Sequence, residues 1–112
     1  MKRIETVIRP SKLHDLKTAL SGLGIHGLTV FEAGGFGRQR GHKEMFRGNE
    51  YDVDLIPKLV VVLVTQDELV DKIIDKIISV CYTGEVGDGK IFVSTIDETV
   101  RIRTGERGEG AM

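Results

Sequence analysis

The sequence predicts an α+β domain in which one antiparallel sheet carries two helices on a single face. Strand-like and helix-like segments alternate along the chain in the order strand, helix, strand, long loop, strand, helix, strand. The chain has 112 residues, which is the size of one compact domain. We therefore treat residues 1–112 as a single domain in which both halves share one hydrophobic core.

Pro10 and a pair of glycines delimit the first strand and helix. Residues 2–9 alternate between polar and apolar side chains, which predicts a strand that Pro10 ends. Ser11 is expected to be the N-cap of the next helix. That helix is predicted from four leucines at helical spacing over about three turns: Leu13, Leu16, Leu20 and Leu23. Gly22 and Gly24 end it, and strand-forming residues predict a second strand over residues 25–33.

The second half of the chain repeats this pattern after a long loop. Residues 34–56 show no sustained period, which predicts a long mobile loop over residues 36–56 that is usually functional in so small a domain. Residues 59–64 are all apolar, as in a central strand covered on both faces. A second helix follows, with its apolar face formed by Leu69, Val70, Ile73, Ile74, Ile77, Ile78 and Cys81. Residues 90–96 predict the last main strand, and residues 100–103 a short additional one.

This order of elements is a doubled βαβ, the ferredoxin-like arrangement. One face of its sheet would stay uncovered in a single chain, so we expect a homo-oligomer. The formal net charge of −1 argues against a general nucleic-acid binder. A single cysteine excludes an intrachain disulfide, and the longest apolar run is too short to cross a bilayer. A cytoplasmic protein is expected.

A glycine-rich segment at residues 82–90 is the strongest functional signal. Gly84–Lys90 fits the pattern G-x-x-x-x-G-K, in which backbone N–H groups bind phosphate oxygens and the lysine adds charge. Ile91 follows where a P-loop ATPase has Ser or Thr, and the segment follows a helix rather than a strand. We therefore favour phosphate binding without P-loop chemistry. A helix C-cap followed by a tight turn is the purely structural alternative.

Two further segments carry functional hypotheses. Arg101 and Arg103 are two positions apart in a stretch predicted to be extended, so both would project to one side and suit a polyphosphate. A solvated edge strand is the alternative, within a C-terminal loop or tail over residues 101–112. Residues 37–50 of the long loop carry four basic and two acidic residues, and Tyr51 follows them. This tyrosine is either a modification site, part of a plug for a partner, or an anchor at the base of the loop.

At this point the chain resembles the P-II signal-transduction family over essentially its whole length. The matching segments are IRP at 8–10, GFGRQRGH at 35–42, FRGNEY at 46–51, TGEVGDGKIFV at 83–93 and RIRTGERG at 101–108. The resemblance implies a homotrimer of ferredoxin-like protomers with nucleotide in the three clefts between subunits. It also implies a non-catalytic regulator of nitrogen metabolism that senses ATP or ADP and 2-oxoglutarate.

The resemblance further implies which residues bind each ligand. The residues expected to bind nucleotide are Gly27, Thr29, Gly35, Gly37, Arg38, Val64, Gly87, Asp88, Gly89, Lys90, Arg101 and Arg103. Those expected to bind 2-oxoglutarate are Arg9, Gln39, Arg40, Gly41, Lys58 and Gly87. Gln39 would also hold a Mg2+ ion shared between ATP and 2-oxoglutarate. Tyr51 matches a tyrosine that some relatives have uridylylated or adenylylated.

The partners implied by the resemblance are an ammonium transporter, a nucleotidyltransferase or enzymes of nitrogen metabolism, with membrane association only through a transporter. The chain departs from many relatives at Val62, which replaces a glutamate, and this bears on the discrimination between ATP and ADP. Two other functions stay open. One is a weak ATP-hydrolysing enzyme, for which no residue is nominated as the base. The other is a ferredoxin-like oligomer that binds a different small ligand.

Overall fold

A computed structural model describes residues 1–36 and 55–112, together with the backbone of residues 43–46 and 49–52. The strands are β1 (Lys2–Ile8), β2 (Thr29–Gly35), β3 (Lys43–Phe46), β4 (Asn49–Asp52), β5 (Ile56–Thr65) and β6 (Lys90–Thr95). The helices are α1 (Leu13–Gly22) and α2 (Val70–Cys81). Short 3-10 turns cover Pro10–Lys12, Asp67–Leu69 and Glu109–Ala111.

Four strands form one antiparallel sheet in the order β2-β5-β1-β6. In this order β1 and β2 are parallel to each other and are separated by β5, which is the arrangement expected of two interleaved βαβ units. Val7 of β1 lies opposite Val60 of β5 on one side and Lys90 of β6 on the other. The predicted α+β class and ferredoxin-like strand order are confirmed for the single chain.

The two helices cover one face of the sheet. The buried core joins alternate residues of β1 and β5 to one stripe of each helix: Ile4, Ile8, Leu16, Leu20, Val61, Leu63, Ile73, Ile77 and Cys81. Burial raises the pKa of the Cys81 thiol, which keeps it protonated. The prediction that Cys81 belongs to the core is confirmed.

The opposite face of the sheet carries apolar side chains, and no element among the described residues packs over it. The alternation of the strands places Val7, Val60 and Val62 on this open face, with Phe31 of β2 and Phe92 of β6. Phe31 is 47% exposed and Phe92 is 51% exposed. Within one chain the helices cover only one side of residues 59–64, so the prediction that this strand is covered on both faces depends on the expected association with other subunits and stays a prediction.

Two element boundaries differ from the sequence prediction. Ser11 is not an N-cap, because it lies inside the 3-10 turn that Pro10 begins, and no side chain caps α1. The second strand begins at Thr29 rather than at residue 25. The cause is local, since the carbonyl of Leu20 accepts the N–H of Ile25 at 3.0 Å and keeps the chain turned beyond the helix.

Regular structure also occurs inside the segment predicted to be an irregular loop. Strands β3 and β4 pair as a hairpin with Lys43 opposite Asp52 and Phe46 opposite Asn49. Strands of four residues are too short to show a measurable alternation, which explains why the pattern did not predict them. Within the described residues, no helix is long and apolar enough to cross a membrane.

The short strand predicted at residues 100–103 is also wrong. Val100 makes one isolated bridge to Arg107, and the chain then turns. The N–H of Gly105 donates to the carbonyl of Arg101 at 2.8 Å, and Gly105 has a φ of +71° that favours glycine. The C-terminal segment is therefore a closed turn rather than an extended edge.

Candidate ligand-binding cleft

The glycine-rich loop leaves the end of α2 and enters β6 through an internal hydrogen-bond network. The Asp88 carboxylate accepts the N–H of Thr83 at 2.8 Å and that of Gly84 at 3.0 Å, and it also accepts the Thr83 hydroxyl. The Thr83 oxygen in turn accepts the N–H of Glu85 at 3.1 Å. These bonds close residues 83–88 into a compact turn.

Three consecutive N–H groups of this loop stay available. Among the described residues, no group accepts a hydrogen bond from the N–H of Gly87, Asp88 or Gly89. Gly87 has a φ of +111° and Gly89 a φ of +95°. Successive amides around such left-handed residues form concave sites for anions, so this part of the loop suits phosphate oxygens.

Arg9 and Lys58 join the loop to the sheet. Arg9 follows β1, and its Nε lies 3.3 Å from Asp88 Oδ1 while its Nη2 donates to the Val86 carbonyl at 3.0 Å. Lys58 lies in β5, is only 8% exposed, and donates from Nζ to the Gly87 carbonyl at 2.6 Å. The sequence assigned Arg9, Lys58 and Gly87 to one carboxylate site, and the structure brings them together.

Two pKa shifts follow from these contacts. Burial, and then the positive charge of Arg9, lower the pKa of the Lys58 ammonium. Hydrogen bonds from Thr83 and Gly84, with that from Arg9, hold the pKa of the Asp88 carboxyl well below its usual value. Asp88 is therefore ionised at neutral pH, and its charge lies beside that of Arg9.

A cleft of about 840 Å³ lies between this loop and the end of β2, on the open face of the sheet. Its lining residues are Val7, Gly35, Phe36, Lys58, Glu85, Val86, Gly87, Asp88, Gly89, Lys90 and Phe92. It contains five of the residues predicted to bind nucleotide, namely Gly35, Gly87, Asp88, Gly89 and Lys90. A cleft of this size with lysines and free amides at one end can hold an anionic small molecule.

The other predicted nucleotide residues that the structure describes lie at the opposite end of the sheet. Thr29 begins β2, whereas Gly35 ends it, and the six steps along the strand between them span about 20 Å. Gly27 precedes Thr29, and Val64 pairs with Arg3 near the start of β1. Arg101 and Arg103 follow Ile96, whose N–H donates to the Met1 carbonyl at 3.0 Å at this same end. One chain therefore carries two separate groups of predicted site residues.

The C-terminal arginines do not have the predicted extended arrangement. Arg101 donates to Glu106 Oε1 at 3.2 Å and to the Gly110 carbonyl at 3.2 Å, so its guanidinium closes its own turn. Arg103 lies within that turn and is exposed. The argument that both project to one side of a strand is therefore wrong, although their role in binding is untested.

Several predicted residues lie outside the described part of the chain. They are Gly37, Arg38, Gln39, Arg40 and Gly41. Tyr51 lies in β4, and its side chain also falls outside the description. Among the described residues no group of three His, Cys, Asp or Glu side chains could hold a metal ion. The magnesium role of Gln39 and the modification of Tyr51 stay predictions.

Sequence reasoning did not single out Thr83, Val7 or Phe92. Thr83 can both accept and donate hydrogen bonds within the loop because it lies two residues after the end of α2 and five positions before Asp88. A Thr after a helix end, with an Asp further along the same turn, was the available signal. Val7 and Phe92 line the cleft only because of the strand register, which the sequence does not specify.

The described chain thus defines a ferredoxin-like α+β protein with a glycine-rich loop beside an open cleft. It belongs to the P-II family, since the family model for nitrogen regulatory protein P-II matches residues 1–106. Relatives named nitrogen regulatory protein P-II are 53% identical in Azospirillum brasilense, and 54% identical in both Rhodospirillum rubrum and Bradyrhizobium diazoefficiens. Each match covers 112 residues and all of both chains. The resemblance stated from the sequence is confirmed, and these names describe regulators rather than enzymes.

Proposed function

We propose that this protein is a non-catalytic regulator of nitrogen metabolism that binds ATP or ADP and 2-oxoglutarate. The observation that carries the proposal is the glycine loop, in which free N–H groups of Gly87–Gly89 adjoin Lys90 and the buried ammonium of Lys58. Free amides and a lysine suit the phosphates of a nucleotide. The second cation, Lys58, is buried and suits a carboxylate effector.

The nucleotide site is proposed to be shared between subunits of a homotrimer. Lys90 and Arg101 are both expected at the phosphates, yet they belong to opposite ends of one sheet. The phosphate chain of ATP cannot span the roughly 20 Å between the two ends of strands of this length. A neighbouring chain that brings its C-terminal turn to the glycine loop satisfies both assignments. The exposed Phe31 and Phe92 on the open face supply apolar surface for this association.

The effector site is proposed to form around Lys58 once Mg-ATP is bound. Lys58 would give up its hydrogen bond to the Gly87 carbonyl and bind the far carboxylate of 2-oxoglutarate instead. Gln39 would hold a Mg2+ ion shared between the ATP phosphates and 2-oxoglutarate. Because part of the site is then the nucleotide itself, 2-oxoglutarate binding depends on ATP.

Control of target proteins is proposed to act through the long loop over residues 36–56, in the cytoplasm. Ligands that favour different conformations of this loop shift their populations by their differential affinity. The expected targets are an ammonium transporter, which would provide the only membrane association, a nucleotidyltransferase, or enzymes of nitrogen metabolism. Tyr51 is the expected site of nucleotidylation.

Isothermal titration calorimetry tests the ligand assignments. Wild-type protein should bind ATP and ADP, and should bind 2-oxoglutarate only when Mg2+ and ATP are present. Gln39→Ala should abolish 2-oxoglutarate binding and largely spare ATP. Binding of 2-oxoglutarate with equal affinity in the absence of nucleotide would contradict the shared-magnesium site. Light scattering on the same samples should give the mass of three chains, and a monomer would exclude the shared cleft.

A further inference from the structure

Arg9 makes contacts that differ from those expected of an effector ligand. Its guanidinium bridges two positions of the glycine loop, the Asp88 carboxylate at 3.3 Å and the Val86 carbonyl at 3.0 Å. Both side chains of the Arg9–Asp88 pair are 24% exposed, so solvent screens this pair less than a pair on the open surface. Arg9 follows directly on β1, and its contacts therefore fix the loop to the central sheet.

Asp88 determines which amides of the loop stay free. Its carboxylate engages the N–H groups of Thr83 and Gly84, which are the second and third residues after the helix. The next free donors are those that lie beside Lys58 and Lys90, from Gly87 onward. An unbalanced carboxylate beside these donors would repel a phosphate, and Arg9 supplies the opposite charge at hydrogen-bonding distance.

We propose that Arg9 and Asp88 act as one pair of positioning residues that holds the glycine loop in its phosphate-binding shape before the ligand arrives. Their side chains act through the loop backbone and need not touch the nucleotide. This inference rests on the proposed binding of nucleotide at Gly87–Gly89. It changes the roles expected from the sequence, in which Arg9 served only 2-oxoglutarate and Asp88 contacted the nucleotide.

Titration of ADP into four proteins tests the pair: wild type, Arg9→Gln, Asp88→Asn and the double variant. ADP is the suitable probe because it engages the loop without the γ-phosphate or the effector. Each single substitution should weaken ADP binding about tenfold, since each removes a charge-assisted hydrogen bond that orders the loop. The double variant should bind ADP with the same affinity as the single variant that binds it less tightly, because the two residues act as one unit.

Two exposed positions on α2 provide matched controls. Asp75→Asn and Lys72→Gln remove charges of the same signs outside the cleft and should leave ADP affinity unchanged. Amide hydrogen exchange in the ligand-free proteins gives an independent readout. Asp88→Asn should accelerate exchange at Thr83 and Gly84 and leave the β1 and β5 amides unchanged, which separates loop ordering from a general loss of stability.

The outcomes separate this inference from the proposed function. If Arg9→Gln impairs 2-oxoglutarate binding and leaves ADP unchanged, Arg9 is an effector ligand and the pairing is wrong. The pairing is also wrong if Asp88→Asn binds ADP as tightly as the wild type or more tightly. It is equally wrong if the loss of ADP affinity in the double variant equals the product of the two single losses. If wild-type protein binds no ADP, the proposed function fails instead. The exchange data would then still decide whether Asp88 orders the loop.

Discussion

The substitution Gly89→Ala tests the geometry on which the glycine loop depends. Gly89 has a φ of +95°, and a Cβ added there would lie 1.7 Å from the carbonyl oxygen of Val7 and 2.8 Å from its carbonyl carbon. These atoms belong to the backbone of the central strand β1, so no side-chain rotation can relieve the contact. Either the loop or the strand must move by more than an ångström.

The expected cost follows from two contributions. Placing an L-residue at positive φ costs about 1–2 kcal/mol. Separating the loop from β1 also weakens the adjoining Val7–Lys90 pair of the ladder, at about 1 kcal/mol for each hydrogen bond lost. We expect Gly89→Ala to lower the free energy of unfolding by about 3 kcal/mol and to abolish ADP binding, since the displaced amides no longer converge.

Urea denaturation followed by circular dichroism measures this cost, and Gly105→Ala is the matched control. Gly105 also has a positive φ, at +71°, but an added Cβ would meet nothing within 4 Å. It should therefore show the conformational cost alone, about 1–2 kcal/mol. If the two variants lose the same stability, or if Gly89→Ala binds ADP normally, the argument from close backbone approach is wrong.

Further predictions concern the effector site, acid stability, the thiol and assembly. Lys58→Met should abolish 2-oxoglutarate binding, because it removes the cation proposed for the far carboxylate. It should weaken ADP binding by no more than about tenfold, because it also removes one charge-assisted hydrogen bond to the loop. Calorimetry showing equal loss of both ligands would contradict this. The Asp88 pKa is lower in the folded than in the unfolded chain, so its stabilisation is full above the unfolded value near pH 4 and declines as the pH falls below it. The difference in free energy of unfolding between wild type and Asp88→Asn should accordingly shrink in urea titrations below about pH 4, and a constant difference would exclude the assigned cause. Cys81 should resist alkylation at pH 8 until the protein unfolds, because burial raises its pKa, and fast labelling of native protein would contradict its placement. Phe92→Lys should reduce the mass measured by light scattering from that of three chains to that of one. An unchanged trimer would show that the open face is not part of the interface between subunits.

The sequence predicted the fold well where hydrophobic periodicity was strong. Helix α2 and strand β5 have long apolar patterns, and both were placed within a few residues. The errors fall where local hydrogen bonds override propensity. Ser11 was assigned as a cap although Pro10 had already begun a 3-10 turn, and residues 25–28 were assigned to a strand although they follow the turn held by Leu20.

The candidate site was predictable as a set of residues but not as an arrangement. The motif identified Lys90 and the glycines, and the family resemblance added Arg9 and Lys58. The contact between Arg9 and Asp88 depends on how the loop folds against β1, a distance of 79 residues along the chain. No local pattern specifies such a contact. The surroundings of Arg101 were not predictable for the same reason. The residues predicted to form a strand there form a turn, which is closed by the hydrogen bond from Gly105 to the Arg101 carbonyl.

The separation of the two groups of site residues has a consequence for mixed assemblies. In the proposed ring each protomer contributes its glycine loop to one intersubunit crevice, the proposed nucleotide site, and its C-terminal turn to the next. No single chain therefore contains a complete site. A chain damaged at Lys90 and another damaged at Arg101 would each be inactive as a pure population. When both kinds of chain assemble in one ring of three, one crevice is intact. At that crevice the undamaged glycine loop of one chain meets the undamaged C-terminal turn of the other. Two defective alleles of this protein would then complement each other in proportion to the number of mixed rings, because every ring that contains both kinds of chain has one intact crevice.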